Sequence, residues 1–413
     1  MNPPLDSLPV PQDAAGVRAA LPAYRDLLAG RRALLPVPPV TSTGAAGKSL
    51  SDIMHADDPA RPAAPGTLVA CTSGSTGTPK GALLRTAGIH AAIDASASFI
   101  RARSGTGPGP WLLALPPHHI AGTMVILRSL DAGSAPAVLP APFRVDAFCA
   151  ATDALADAHP GRPLHTSLVP TQLIRLLDSV AGVSALGRYA AILVGGGPTP
   201  PAVVTRCAEQ GLNVLLTYGS SETSGGVLYN GSPLPGYTVE ITDPDPAGVG
   251  RVTLHGPSVA DGYRATGSLD PTVTADAFPA PGVFRTSDLG RVTDGVLTVL
   301  GRADGAVNSG GLKILPEQVE AAVAAVGVTC CATGVPDGEW GEIVAVLAEA
   351  AGPVGTDCTA RLRAQLKDAA TAPHLVPKLA FTVDTLPTTG PGKVDRMRVR
   401  GVLQELVREA SGD

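Results

Sequence analysis

The sequence holds 413 residues, of which 44% are hydrophobic and 16% charged. A chain of that size and balance is expected to fold as two or three domains around a sizeable core, which excludes an intrinsically disordered protein. The 31 basic and 36 acidic side chains leave a formal charge of -5, so neither a nucleic acid nor an anionic membrane is expected as a partner.

The opening MNPPLDSLPV has no basic segment before an apolar run, so no secretory signal is expected. Residues 104–127 carry no Asp, Glu, Lys or Arg, but Pro108, Pro110, Pro116, Pro117, His118 and His119 argue against a spanning helix. The expectation is a cytoplasmic protein without membrane insertion. The six cysteines show no CxxC spacing and no zinc-type cluster, and they read as buried thiols.

Along the chain, AAGVRAALPAYRDLLAG reads as an amphipathic helix. TLVACTS, PWLLALP, AILVGGG and NVLLTYG read as buried strands ending in Gly, Ser or Pro. TAGIHAAIDASASFI, TQLIRLLDSV and PPAVVTRCAEQ have helical spacing, and strand alternating with helix implies an α/β fold with a largely parallel sheet. Residues 236–300 change to short strands with Gly and Asp turns, YTVEI, GRVTLHG and GVLTVLG, as expected of a small antiparallel β region. A second break falls at Gly301–Gly305, followed by the helix PEQVEAAVAAVG, the strands TCCATGV and EIVAVLAEA, the helix CTARLRAQLKDAA and the loop TTGPGKVDR. The expected architecture is α/β: a large N-terminal domain, 1–302, with mostly parallel sheets flanked by helices plus a small β region, and a small mobile α+β C-terminal domain, 303–413.

TSGSTGTPKGALL, Thr72 to Leu84, follows the strand TLVAC directly. Gly74, Gly77 and Gly81 allow a backbone close to anionic oxygens, Ser73, Ser75, Thr76 and Thr78 supply hydroxyls, and Lys80 supplies a point charge. Such a loop suits a polyphosphate, although no Gly-Lys-Ser/Thr stands at Walker A spacing.

This segment resembles the phosphate loop of the adenylate-forming superfamily, which contains acyl-CoA synthetases, peptide-synthetase adenylation domains and luciferases. Further segments resemble that family's motifs in the same order: VGGGPTP, TYGSSETSGGV, FRTSDLGRV, GRADGAVNSGGLKILPEQVE and LPTTGPGKVDR. The resemblance runs from about residue 67 to 396. It implies a two-step ligase using ATP, Mg²⁺ and CoA. Thr72, Ser73, Gly74, Ser75, Thr76, Gly77 and Lys80 would bind phosphates. Gly195, Gly196, Gly197, Tyr218 and Gly219 would line the adenine, and Asp288 with Arg302 would hold the ribose. Glu222 would hold Mg²⁺, Thr223 would contact phosphate, and Lys393 would meet the attacking carboxylate and the α-phosphate. Asp304 matches the hinge position, and Gly310 with Gly311 would permit close approach in a CoA channel. Ser221 replaces the usual Thr, and Lys313 the more frequent acidic residue, so Lys313 receives no role.

LPPHHIAGTMVILRSL, Leu115 to Leu130, resembles the pocket segment of the o-succinylbenzoate–CoA ligases of menaquinone biosynthesis. An aromatic dicarboxylate has one acid to activate and another that needs a donor or cation, and His119 and Arg128 are of the right type. TSLVPTQLIRLL adds Ser167 and Thr171 as liners. The sequence leaves open another aryl- or acyl-acid ligase, an enzyme loading a carrier-protein thiol, and an inactive nucleotide-binding protein. It also leaves a homodimer open.

Overall fold

The computed structural model describes residues 5–39, 49–72, 79–264, 270–350, 353–388 and 394–411. The backbone forms two compact units. The first comprises Met1–Glu240, Thr253–Thr286 and Asp294–Val296, and the second Ile241–Val252, Ser287–Thr293 and Leu297–Asp413.

The first unit is built on a seven-stranded sheet in the spatial order Ser232–Pro233, Gly225–Tyr229, Val214–Ser220, Tyr189–Val194, Leu164–Leu168, Trp111–Leu113, Ala137–Val138. The last five run parallel, as the alternation of strand and helix implies, and the two at the other edge are antiparallel. Leu164–Leu168 is buried at every position, the pattern of a parallel strand covered on both faces. Phe148, Leu173, Leu176, Tyr189 and Ile192 fill the core on one side.

A second sheet in this unit has the order Asp6–Pro9, Leu34–Val37, Thr67–Thr72, Lys80–Arg85. The first three strands are parallel and the last closes a hairpin with Thr67–Thr72, in a register that pairs Thr72 with Lys80. Residues 260–264 are laid along this hairpin: the Leu83 N–H donates to the Gly262 carbonyl at 2.9 Å and the Arg264 N–H to that of Gly81 at 2.7 Å. The Arg264 side chain, 5% exposed, donates to the carbonyls of Met54 (2.7 Å), His55 (3.0 Å) and Arg61 (2.7 Å). Three carbonyl acceptors satisfy a cation that would be costly to bury alone.

Thr238–Thr242, Gly250–His255, Val283–Thr293 and Val296–Arg302 form a third sheet in that order. The tail of the second unit is α+β, as expected. Its sheet has the order Leu312–Ile314, Val307–Ser309, Gly341–Glu349, Cys330–Asp337, with Leu379–Val383 parallel to Gly341–Glu349. Strand alternation divides its apolar residues between two cores: Ala332, Val344 and Val346 pack with Val319, Leu362 and Leu366, while Cys331, Ile343, Ala345 and Leu347 pack with Val399 and Leu403. The adjacent cysteines lie in a strand as read from the sequence; burial pushes the Cys331 thiol up to about 12. Among the described residues no helix is long and apolar enough to cross a membrane.

Candidate active site

Most of the phosphate-loop assignments, Ser73, Gly74, Ser75, Thr76 and Gly77, lie outside the described residues, as does Lys393. The loop's two flanks are placed. Thr72 and Lys80 face each other as the pair at the base of the hairpin, and the Thr72 hydroxyl is buried without a partner. The Lys80 ammonium sits 4.8 Å from the centroid of the Tyr263 ring.

Glu222 stands on a single 3-10 turn, Ser221–Thr223, that follows the strand Val214–Ser220. The Ser220 hydroxyl caps the turn, accepting from the Glu222 N–H at 3.3 Å. Glu222 is 7% exposed, and its Oε1 accepts from the Tyr263 hydroxyl at 2.7 Å. Thr223 follows Glu222 on the same turn. It is fully buried, and its Oγ1 accepts from the Ser220 N–H at 3.0 Å and donates to the Gly225 carbonyl at 2.7 Å. Its hydroxyl thus bonds within the turn that presents Glu222.

The glycines of the adenine segment are explained by close packing. A Cβ on Gly195 would meet Thr217 Oγ1 at 2.3 Å, and one on Gly219, beside Tyr218, would meet the Gly225 carbonyl at 2.1 Å. Gly196 turns the chain at φ 84° after the strand Tyr189–Val194, with Gly197 following. Gly195–Gly197 follow the C-terminal end of one parallel strand and Tyr218 and Gly219 lie in the C-terminal half of its neighbour, the end at which ligands bind open α/β sheets.

His119 is the N-cap of the helix Ile120–Asp131, its ring 4.5 Å from that of His118. Burial, followed by the neighbouring His119, lowers His118 to about 4. Arg128 is in the last turn of the same helix, nine residues or roughly 13 Å of helix rise beyond His119. It is 7% exposed, its guanidinium lies 5.5 Å from the Trp111 ring centroid, and its Nε is buried without a partner. No carboxylate among the described residues pairs with it. Trp111 in turn stacks on His165, ring centroids 5.0 Å apart. His165 is 2% exposed with neither ring nitrogen bonded to a side chain, and burial pushes it down to about 4. Ser167, buried, shares a strand face with His165, whereas Thr171 is exposed at the start of the helix Pro170–Leu177. Trp111, His165 and Tyr263 escape the sequence reading because each gains its meaning from a partner distant in the chain.

In the second unit, Arg302 grips Asp304 with two hydrogen bonds, Nε to Oδ1 at 2.8 Å and Nη2 to Oδ2 at 2.6 Å, and stands 3.8 Å from Asp288. The expected ribose pair is thus joined to the expected hinge residue. Gly310 and Gly311, at φ 56° and 85°, form the two-residue turn of a hairpin between Val307–Ser309 and Leu312–Ile314. Positive φ at both positions is the primed turn that suits the twist of paired strands and favours Gly-Gly. A Cβ on Gly310 would also lie 2.3 Å from the Trp340 ring, so local folding alone requires this glycine.

Among the described residues no three His, Cys, Asp or Glu side chains gather as a metal cage. Glu222, a lone buried carboxylate linked to Lys80 through Tyr263, fits a Mg²⁺ that arrives with polyphosphate oxygens rather than one held by protein alone.

The family model described as "AMP-binding enzyme" matches residues 30–264, which spans the hairpin, Glu222 and Tyr263. The chain belongs to this family. It is 41% identical over 337 residues to the "Probable 2-succinylbenzoate–CoA ligase" of Mycobacterium tuberculosis, an alignment covering 80% of this chain and 82% of the relative. A 2-succinylbenzoate–CoA ligase of Salmonella typhimurium is 34% identical over 295 residues, covering 69% of this chain and 58% of that one. Among solved structures, o-succinylbenzoate CoA synthetase from Bacillus subtilis, in complex with its acyl-adenylate intermediate, superposes with a TM-score of 0.67 at 26% identity, covering 81% of this chain and 68% of that one. ATP-bound MatB from Rhodopseudomonas palustris superposes with a TM-score of 0.69 at 25% identity, over 93% and 78% of the two chains. The two-domain α/β fold of the family is thereby the fold of this chain.

Proposed function

We propose that this chain is an AMP-forming acid–CoA ligase that converts 2-succinylbenzoate, ATP and CoA into 2-succinylbenzoyl-CoA, AMP and diphosphate, a step of menaquinone biosynthesis. The carboxylate attacks the α-phosphate of ATP to give an acyl-adenylate, and the CoA thiol then displaces AMP. Relatives that carry this name support the reading, and one observation carries the substrate: Arg128 is a buried guanidinium with no carboxylate of its own among the described residues. Lone buried cations are costly, so one that persists calls for an anionic ligand. An aromatic dicarboxylate has one acid to activate and a second that such a cation can hold.

The remaining roles follow the same reading. Thr72, Lys80 and the glycine-rich loop hold the phosphates. Gly195, Gly196, Gly197, Tyr218 and Gly219 line the adenine, Asp288 and Arg302 hold the ribose, and His119, Ser167 and Thr171 line the acyl pocket. Lys393 neutralises charge between the attacking carboxylate and the phosphate, two anions that otherwise repel. Asp304 is the hinge of a small domain beginning at 303, and Gly310 and Gly311 lie on the CoA side. Glu222 holds Mg²⁺, which spreads the charge that develops on the phosphates. The reaction places the enzyme in the cytoplasm.

The test is product analysis with purified protein, ATP, Mg²⁺ and CoA, offering 2-succinylbenzoate beside benzoate, a fatty acid and an amino acid. Succinylbenzoyl-CoA with AMP released in step establishes the proposal. AMP release with a different acid overturns the substrate, and AMP release without transfer to free CoA favours loading of a carrier protein.

A further inference from the structure

Two phosphate-handling side chains of opposite charge, Glu222 and Lys80, touch one and the same residue. The Tyr263 hydroxyl donates to Glu222 Oε1 at 2.7 Å, and the Lys80 ammonium lies 4.8 Å from the centre of the Tyr263 ring. Glu222 and Lys80 nevertheless form no ion pair with each other, and among the described residues no other donor reaches the Glu222 carboxylate. A direct pair would neutralise both groups and would have to break before either met a metal or a phosphate. Held by a neutral phenol instead, the acid keeps one oxygen for a cation, and the ammonium keeps its donors while resting on a π-face.

The tyrosine is itself rigidly placed. It is 7% exposed, bridges Ala82 of the hairpin across an antiparallel backbone pair, and packs edge-on against Phe278 with centroids 5.1 Å apart and planes at 72°. Three residues earlier, the Ala260 N–H donates to the Glu222 carbonyl at 2.8 Å. Residues 260–264 thus join the strand that carries Lys80 to the turn that carries Glu222. We propose that Tyr263 is a positioning residue for adenylate formation, fixing the metal-binding carboxylate of Glu222 and the ammonium of Lys80 as separate charges. This rests on the reading that Glu222 holds the Mg²⁺ that accompanies ATP.

Tyr263→Phe removes the hydroxyl and keeps the ring over Lys80 and against Phe278. The measurements are AMP-forming activity as a function of free Mg²⁺, binding of Mn²⁺ in the presence of ATP by electron paramagnetic resonance, KM for the acid, and the thermal midpoint. The expected result is a Mg²⁺ requirement raised about tenfold, the size expected for losing a hydrogen bond to a charged group. Mn²⁺ binding weakens in parallel, with KM for the acid unchanged and the thermal midpoint lowered by a few degrees for the donor lost to a buried carboxylate. Tyr263→Leu, which also removes the ring, raises KM for ATP beyond the Phe variant. Wild-type Mg²⁺ dependence in Tyr263→Phe overturns the proposal, as does a loss confined to acid KM and thermal midpoint. Glu222→Gln separates the two ideas: if it leaves the Mg²⁺ requirement unchanged, the metal role of Glu222 fails; if it raises that requirement while Tyr263→Phe does not, only the tyrosine's role fails.

Discussion

Replacing Arg128 with Met should push stability and activity in opposite directions. The guanidinium is 7% exposed, has no ion pair among the described residues, and leaves its Nε unbonded there. Burial of an uncompensated ion costs several kcal/mol, and the Trp111 ring beneath it returns about 1–2 kcal/mol as a desolvated cation–π contact. Met matches the length of the aliphatic stem and carries no charge, so the unliganded protein should gain roughly 1–3 kcal/mol. At about 2–4 °C per kcal/mol for a unit of this size, the thermal midpoint should rise by several degrees. The activity effect has the other sign. A charge-assisted hydrogen bond to the distal carboxylate contributes about 1.5–3 kcal/mol, so kcat/KM for 2-succinylbenzoate should fall roughly 10- to 150-fold. The assay compares initial rates of AMP release with 2-succinylbenzoate and with an analogue lacking the distal carboxyl, alongside thermal unfolding without ligand. The analogue should lose little. A variant that is less stable and loses both substrates equally would refute the argument, because Arg128 would then be holding up the helix and not the substrate.

Lys393→Ala should abolish adenylate formation while preformed adenylate still reacts with CoA; equal loss of both half-reactions, measured separately, counts against two working conformations. His165 is lowered by burial to about 4 from an ordinary 6.5, so the unfolded chain takes up its proton first as pH falls. Its share of stability is complete above about 6.5 and drains away toward about 4. Against the wild type, His165→Phe should lose roughly 3 kcal/mol less between those limits, read from denaturant unfolding at each pH. Gly311→Ala should cost about 1 kcal/mol from its positive φ alone, whereas Gly310→Ala should cost distinctly more, since the added methyl also meets Trp340; thermal melts of the two variants rank them.

Local signals carried much of the fold. AILVGGG and NVLLTYG become neighbouring parallel strands because a run of apolar residues ended by glycine has few other uses. The strand before the phosphate loop is legible as an apolar run, whereas the return strand Lys80–Arg85 that closes a hairpin with it is seen only in the structure. By contrast, the four-residue strand Asp6–Pro9 has no apolar alternation, and its pairing with Leu34–Val37 is decided by tertiary packing. At the site, the motif named Glu222 but could not name Tyr263, 41 residues away, because a hydrogen bond across that separation leaves no periodic trace. Thr223 is a second case. The motif names its residue type, while the bonds its hydroxyl makes inside its own turn appear only in the fold. Arg128 was visible as a cation, but its lack of an acid partner among the described residues appears only once the chain is packed.

Arg264 also bears on how the protein is made. Its guanidinium closes onto the carbonyl of Met54, 210 positions earlier in the chain. At a ribosomal speed of about 5–20 residues per second, the N-terminal segment waits roughly 10–40 s for this clamp to emerge. The strands near the N-terminus therefore spend that interval as an incomplete sheet with open edges, the state in which nascent chains most readily associate with one another. Synonymous codon changes that slow translation between residues 61 and 264 should lower soluble yield without altering the finished protein.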